Sequence, residues 1–547
     1  MTPRASPRPK RYNALREVLR VGDSSATDQQ RQVEGRTMFQ PRSRRQFLRN
    51  SAAGGTLLGL GNLGFLSSLE PVAAADAALD TNKVRFSAEI EPIVRLLEET
   101  PRDKLLEEVA GRIRAGLSYQ EVLAALLLAG VRNVQSRPSV GFKFHAVLVV
   151  NSAHLASLAS PPEHRWLPIF WALDEFKDAQ AADAREGDWT MAAVDEAKVP
   201  SSTAAKQAFI DAMESWDPAA VDVAAAGLAR TAGANEVYEL FYRFGARDFR
   251  DIGHKAIFVA NSQRTLNCIG WHHAEPVLRS LAYALVKYDD TLPSGADLPP
   301  DRPWKRNLEL AKQLKADWLG GKPDSAATRD LLSTLHTGSD EDVCRQVVEI
   351  VNRGVSVHSV WDALFVGASE LLARQPGIVA LHAVTSTNAL RYAFEQSASD
   401  DTRRMLLLQN ASFVPLFRQA MQGRGRIQDV RLDQMVAQEP STSGEGAIEE
   451  IFADVSKDRM LAARKALAYL KQHPEPTAFV DAARLLIFLK GTNSHDYKFS
   501  SAIFEDFHCI SPEWRDRYLA AGVFQLRGSA GKDNDLVART RAALGTA

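Results

Sequence analysis

Residues 253 to 285 read G-H-K-A-I-F-V-A-N-S-Q-R-T-L-N-C-I-G-W-H-H-A-E-P-V-L-R-S-L-A-Y-A-L, and a worn copy of this stretch lies downstream. Placing His254 on His495, an offset of 241, also aligns Phe258 with Phe499, Cys268 with Cys509 and Ile269 with Ile510. A second set of matches lies upstream. Gly116, Ser118, Val122, Ala125 and Leu126 fall on Gly354, Ser356, Val360, Ala363 and Leu364, and His145-Ala-Val with Asn151 falls on His382-Ala-Val with Asn388. Two blocks repeating at nearly the same offset are the mark of an internal duplication, with a pair of histidines carried in each half.

Outward from these blocks the pattern stays helical. Glu91 to Glu99 reads as one helix, with Thr100-Pro101 capping the next; Leu105, Val109, Ile113 and Leu117 keep helical spacing; Tyr119 to Val134 is a long apolar helix. The His145 segment, F-K-F-H-A-V-L-V-V-N-S-A-H-L-A, is apolar nearly all round, which predicts a central buried helix, although its β-branched content also suits strands. Its counterpart L-H-A-V-T-S-T-N-A-L-R-Y-A-F is the better helix, and the repeat argues for one shared state. Trp166, Phe170, Trp171 and Phe176 read as core. Pro200-Ser201-Ser202, Asp217-Pro218 and Ser511-Pro512 read as helix starts. With no alternating strands, the expected fold is all-α, one large helical domain of two halves, 76–288 and 304–547, joined by a turn-rich connector at 289–303.

Charge is nearly balanced over the 547 residues, 66 basic against 67 acidic, but residues 1–75 hold 12 basic and 5 acidic side chains and leave the body acidic. An acidic body does not suit a phosphate backbone, so nucleic acid is not an expected partner. The N-terminal region carries Ser43-Arg44-Arg45-Gln46-Phe47-Leu48-Arg49, a glycine-interrupted apolar run from Ala52 to Leu69, then Ala73-Ala74-Ala75. These three parts resemble a twin-arginine export signal over 38–75, cleaved after Ala75, which makes the twin-arginine translocation machinery an expected partner and the periplasm or exterior the expected location. The run is short for a bilayer, so no stable membrane span is expected after cleavage. Residues 1–37, polar and without apolar periodicity, read as a disordered extension or a mis-called start. Because that route carries folded proteins, it favours a bound cofactor. Cys268, Cys344 and Cys509 are too few for a disulfide scaffold. Cys268 and Cys509 align in the repeat, yet they are expected to stay free rather than approach within bonding reach.

Twelve histidines are present. His145, His254, His382 and His495 lie within apolar helices at repeat-equivalent positions, so a two-fold arrangement would bring all four to one interior site and present imidazoles to a divalent transition metal, iron, copper or zinc. Such a set needs a carboxylate nearby, Asp496 or Glu275. His272-His273 at a helix entry beside Glu275, and Asp496-Tyr497 in the charge-dense run His495 to Lys498, are the candidate catalytic groups. His358 and Asp362 share a helical face and read as a bridge between helices. His164, His336, His473 and His508 read as surface or loop residues. No H-E-x-x-H, paired C-x-x-C, G-x-G-x-x-G, phosphate-binding loop or G-x-S-x-G is present, which disfavours flavin or nicotinamide cofactors of the usual α/β kind.

Three blocks, L-H-A-V-T-S-T-N-A-L-R at 381–391, W-H-H-A-E-P-V-L-R-S-L-A-Y-A-L at 271–285 and S-H-D-Y-K-F at 494–499, resemble the questin oxidase-like family. The resemblance implies a helical protein whose fungal members open anthraquinone rings oxidatively without an evident flavin motif, and hence an oxidoreductase acting on an aromatic or polyketide-like small molecule. The export signal departs from those members. Two other classes fit the residues: a metal-free toroid-type lyase or hydrolase acting on carbohydrate, with histidine, tyrosine and arginine moving protons, and a non-catalytic periplasmic binding protein with core histidines.

Overall fold

The computed structural model describes residues 82–136, 144–286 and 297–545. Among these residues there are 22 α-helices and no strand, only two isolated bridges, so the chain is all-α as its spacing predicts. The export signal and the extension before it lie outside the described residues, as does the first part of the connector.

Local chemistry sets the helix starts. Ser118 and Glu121 form a reciprocal capping box that opens Tyr119–Asn133, and Asp217 accepts from the Ala219 and Ala220 amides with Pro218 in the first turn of Pro218–Thr231. One expected cap differs. Pro101 rather than Thr100 stands at the cap of Arg102–Arg114, with no side-chain hydrogen bond, because the proline is already extended, at φ −58° and ψ 146°. Gly116 and Gly354 both take positive φ, 110° and 88°, in the turns that precede Tyr119–Asn133 and Val357–Arg374.

Two pairs of helices fall at the offset of the sequence blocks. Pro218–Thr231 has its counterpart in Arg459–Gln472, with Asp458 capping in place of Asp217, and His254–Ile269 has its counterpart in Ser494–Asp506. At the centre stand four helices, His145–Ala159, His254–Ile269, Ile378–Gln396 and Ser494–Asp506, each packed against two of the others in a closed ring. Their apolar sides explain the position. Val147, Leu148, Val149 and Val150 are all buried, and burial of each such side chain stabilises by about 1.5–3 kcal/mol.

The expected aromatic core holds for Phe170, Trp171 and Phe176, which are buried. Asp362 does link helices, accepting from the Ser511 amide, while His358 is exposed. All three cysteines are free. His336 differs from its expectation as a surface residue: it is buried, with Nδ1 at 2.6 Å from Glu370 and Nε2 at 2.8 Å from Asp429. Two carboxylates hold both ring nitrogens as donors and push the imidazole pKa up, so burial is tolerated because the charge is matched.

Candidate metal centre

His145, His254 and His495 stand in the first turn of their helices and His382 one turn further in. The turn before His254 is unusual: Ile252, a β-branched residue, has φ 41° and Gly253 has φ 84°. Only glycine fits there, since a Cβ at 253 would lie 2.5 Å from the Ser386 Cβ of the neighbouring helix. That tight turn brings the start of the His254 helix against the His382 helix and aims the Asp251 carbonyl back at the His254 ring.

Backbone and cap oxygens orient the rings. His254 Nδ1 lies 3.0 Å from the Asp251 carbonyl, His382 Nδ1 2.7 Å from the Ile378 carbonyl, and His495 Nδ1 3.0 Å from Asn493 Oδ1, the same oxygen that caps the His495 amide. A carbonyl oxygen only accepts, so in these three rings Nδ1 carries the proton and Nε2 presents a lone pair. The four rings form a cycle in the order 145, 254, 382, 495. Centroids are 5.0 Å apart for His145–His254 and 5.2 Å for His382–His495, then 4.4 Å for His254–His382 and 4.5 Å for His145–His495. Opposite sides of the cycle are matched. One ligand atom from each ring lies within 4.8 Å of the others, and Nε2 of His254 is 3.0 Å from that of His145 and 2.9 Å from that of His382.

Burial pushes the pKa of His145 and His382 well down, and burial followed by the Lys498 charge pushes His495 to about 2. With Nδ1–H turned outward in His254, His382 and His495, their Nε2 atoms face the centre of the cluster beside that of His145, and a water can donate to only two of the four. A cation satisfies them together, and imidazoles pinned through Nδ1 by oxygen acceptors are the usual form of a histidine metal ligand. The described residues therefore contain a buried four-histidine group able to hold a metal ion.

Other residues singled out by sequence lie elsewhere or serve other ends. His272 and His273 sit in a short helical turn, Trp271–His273, with rings 3.9 Å apart, and line a separate cavity of about 610 Å³ with Arg230, Glu275 and Arg279; no histidine of the cluster is among its walls. The break after Cys268 carries them off the helix axis: Gly270, at φ 106°, ends the His254 helix. Glu275 is held by Arg230 through paired bonds of 2.7 and 2.9 Å and is not the counter-charge of the cluster. Neither is Asp496. Its carboxylate accepts from the Thr492 amide and from Arg527 at 2.8 Å, closing the N-terminal cap of the His495 helix. Tyr497 is buried with its ring 4.6 Å from Trp171 and its hydroxyl without a hydrogen-bond partner.

Two groups that matter were not assigned by sequence. Asp251 Oδ2 lies 3.4 Å from His254 Nδ1 and supplies the nearby carboxylate. Lys498, one turn after His495, is buried with Nζ unpartnered, and burial draws its pKa down to about 7. A signal existed for both, in the i−3 and i+3 spacing from repeated histidines.

No known family, no curated protein and no solved structure matches the chain.

Proposed function

We propose that His145, His254, His382 and His495 hold one divalent transition metal and that the protein is a metal-dependent oxidoreductase. The observation that supports this reading is the convergence of four buried imidazoles, three of them held through Nδ1 by oxygen acceptors, with Nε2 of His254 3.0 Å from that of His145 and 2.9 Å from that of His382. An all-imidazole set suits copper, iron, nickel or zinc, and the absence of a carboxylate from the ring leaves the ion's charge uncompensated by its ligands. The metal would supply redox or Lewis-acid chemistry. The chain's own residues orient the imidazoles through Asp251, Ile378 and Asn493 and set the Lys498 amine one turn away.

The substrate class, an aromatic or polyketide-like small molecule, rests on the resemblance of the three blocks to questin oxidase-like proteins. Export by the twin-arginine route, resting on Arg44-Arg45, agrees with a metal loaded before translocation. Replacing both arginines by lysine is expected to hold precursor in the cytoplasm, read by fractionation; unchanged export removes that part of the reading.

Elemental analysis and the optical spectrum of the purified full chain test the centre directly. One metal per chain is expected, lost together with any oxidase activity in His254→Ala and retained in His358→Ala, an exposed control. Full activity in a protein stripped of metal would favour the carbohydrate lyase or hydrolase instead, and ligand binding without either metal or turnover would favour the binding protein.

A further inference from the structure

The four central helices run the same way from the histidine layer. One turn on stand Leu148, Ile257, Thr385 and Lys498; the next layer brings Asn151, Asn261, Asn388 and Ser501; a third brings Leu155, Arg264 and Glu505. Cross-links keep these layers in register. Asn261 donates to the Leu148 carbonyl at 3.0 Å, Ser501 to the Ser152 carbonyl at 2.8 Å, Asn388 to Glu505 at 2.8 Å and Arg264 to Glu505 at 2.6 Å.

These layers enclose a narrow polar cavity of about 10 Å³, space for one water, lined by residues of all four helices including Lys498. Outside it lies a second cavity of about 230 Å³, and Leu155, Ser501 and Glu505 wall both. The outer one is also lined by Arg484 and His508, and the inner one reaches Lys498, one turn from His495.

Charge decides what that route suits. The starts of four helices point their positive ends at the histidine layer, and Lys498 adds a buried amine whose Nζ has no hydrogen-bond partner. Glu505 is matched by Arg264, which leaves Asp251 as the carboxylate against the ring. A dication placed among these groups leaves a strongly positive centre reached through a polar constriction.

We infer that the metal centre takes a small anionic ligand of two or three heavy atoms, admitted through the constriction at Leu155 and Ser501 and met by Lys498, while organic molecules stop in the outer cavity. This inference rests on the metal reading above. Reduced dioxygen species belong to this class, and azide is a linear probe of it. Asn151, Asn261 and Ser501 offer polar groups along the way, so a hydrated anion exchanges water for side-chain contacts step by step.

The test uses the full chain loaded with copper(II) or cobalt(II), its metal content measured first. Azide is then added and its charge-transfer band followed by stopped flow, with benzoate as the bulky anion. The expected result is saturable azide binding, no spectral response to benzoate, an azide on-rate slowed at least about tenfold in Leu155→Trp, and azide affinity weakened about tenfold in Lys498→Met with metal content unchanged in both. Leu155→Ala, which widens the mouth without adding bulk to the core, should speed entry. A metal-loaded protein that binds no azide, or binds benzoate as readily, or whose azide rate ignores both Leu155 variants, overturns the route while leaving the metal reading intact. A protein that takes up no metal overturns both.

Discussion

The two halves of the central ring agree at the histidines and part company one turn away. His254 and His495 occupy equivalent places, yet three residues on the first half presents Ile257 and the second Lys498; three residues before, Asp251 stands where the other half has Thr492. Ten residues on, Arg264 of one half meets Glu505 of the other. The symmetric layer suits a single ion, which asks only for equivalent donors. The asymmetric layers give the histidine layer a charged side and an apolar side.

Making the halves alike at Lys498 is the strongest way to break this comparison. Lysine is depressed from its usual range to about 7 by burial, so the unfolded chain binds the extra proton between that pH and the ordinary lysine value, and stability of the metal-free protein should rise with pH across that window. The limit is about 1.4 kcal/mol for each pH unit. Lys498→Ile, which copies Ile257, should be more stable at neutral pH and should flatten the rise, measured by urea unfolding of the metal-free chain at several pH values. An unaltered pH profile would mean that the amine is solvated.

Asp251 is the next difference to remove. Asp251→Asn keeps the backbone carbonyl that orients His254 but withdraws the carboxylate charge, and metal affinity should fall about 10- to 100-fold. Competition with a chelator of known affinity reads this directly. An unchanged affinity would leave the backbone oxygen as the sole orienting group.

Gly253 sharpens the comparison from the side of the fold. Its counterpart is Ser494, so Gly253→Ser again equalises the halves, but the new Cβ meets Ser386 and the backbone is at positive φ. A loss of about 1–3 kcal/mol is expected, seen as a lower denaturation midpoint. His336, outside the ring, gives the smallest effect. Its raised pKa stabilises the fold fully below the ordinary histidine value, and that contribution fades as pH rises through the folded value. His336→Asn should lose this fall in stability with rising pH and leave metal content untouched.

Sequence spacing carried the helical class, since Glu91–Glu99 and Tyr119–Asn133 fall where apolar periodicity puts them. The four histidines that the sequence blocks pair do lie together, with one ring nitrogen of each within 4.8 Å of the others. Hydrogen-bond partners did not follow from spacing. Asp496 reads as an acid beside a histidine, but a carboxylate in the first turn is drawn to the free amides of the helix start, here Thr492 and Asn493, and to Arg527. His336 reads as a loop residue because its partners, Glu370 and Asp429, are distant in sequence. The narrow route past Lys498 depends on register among four helices, which no single segment contains.

The ligands stand at positions 145, 254, 382 and 495, spread over most of the chain. No stretch of chain shorter than His145 to His495 contains all four, and the helix that carries the last ends at Asp506. Closure of such distant segments is slow, because each loop must form before its contacts reward it. An ion that binds only the closed ring then acts as a latch, adding about 2.7 kcal/mol when present at a hundred times its dissociation constant.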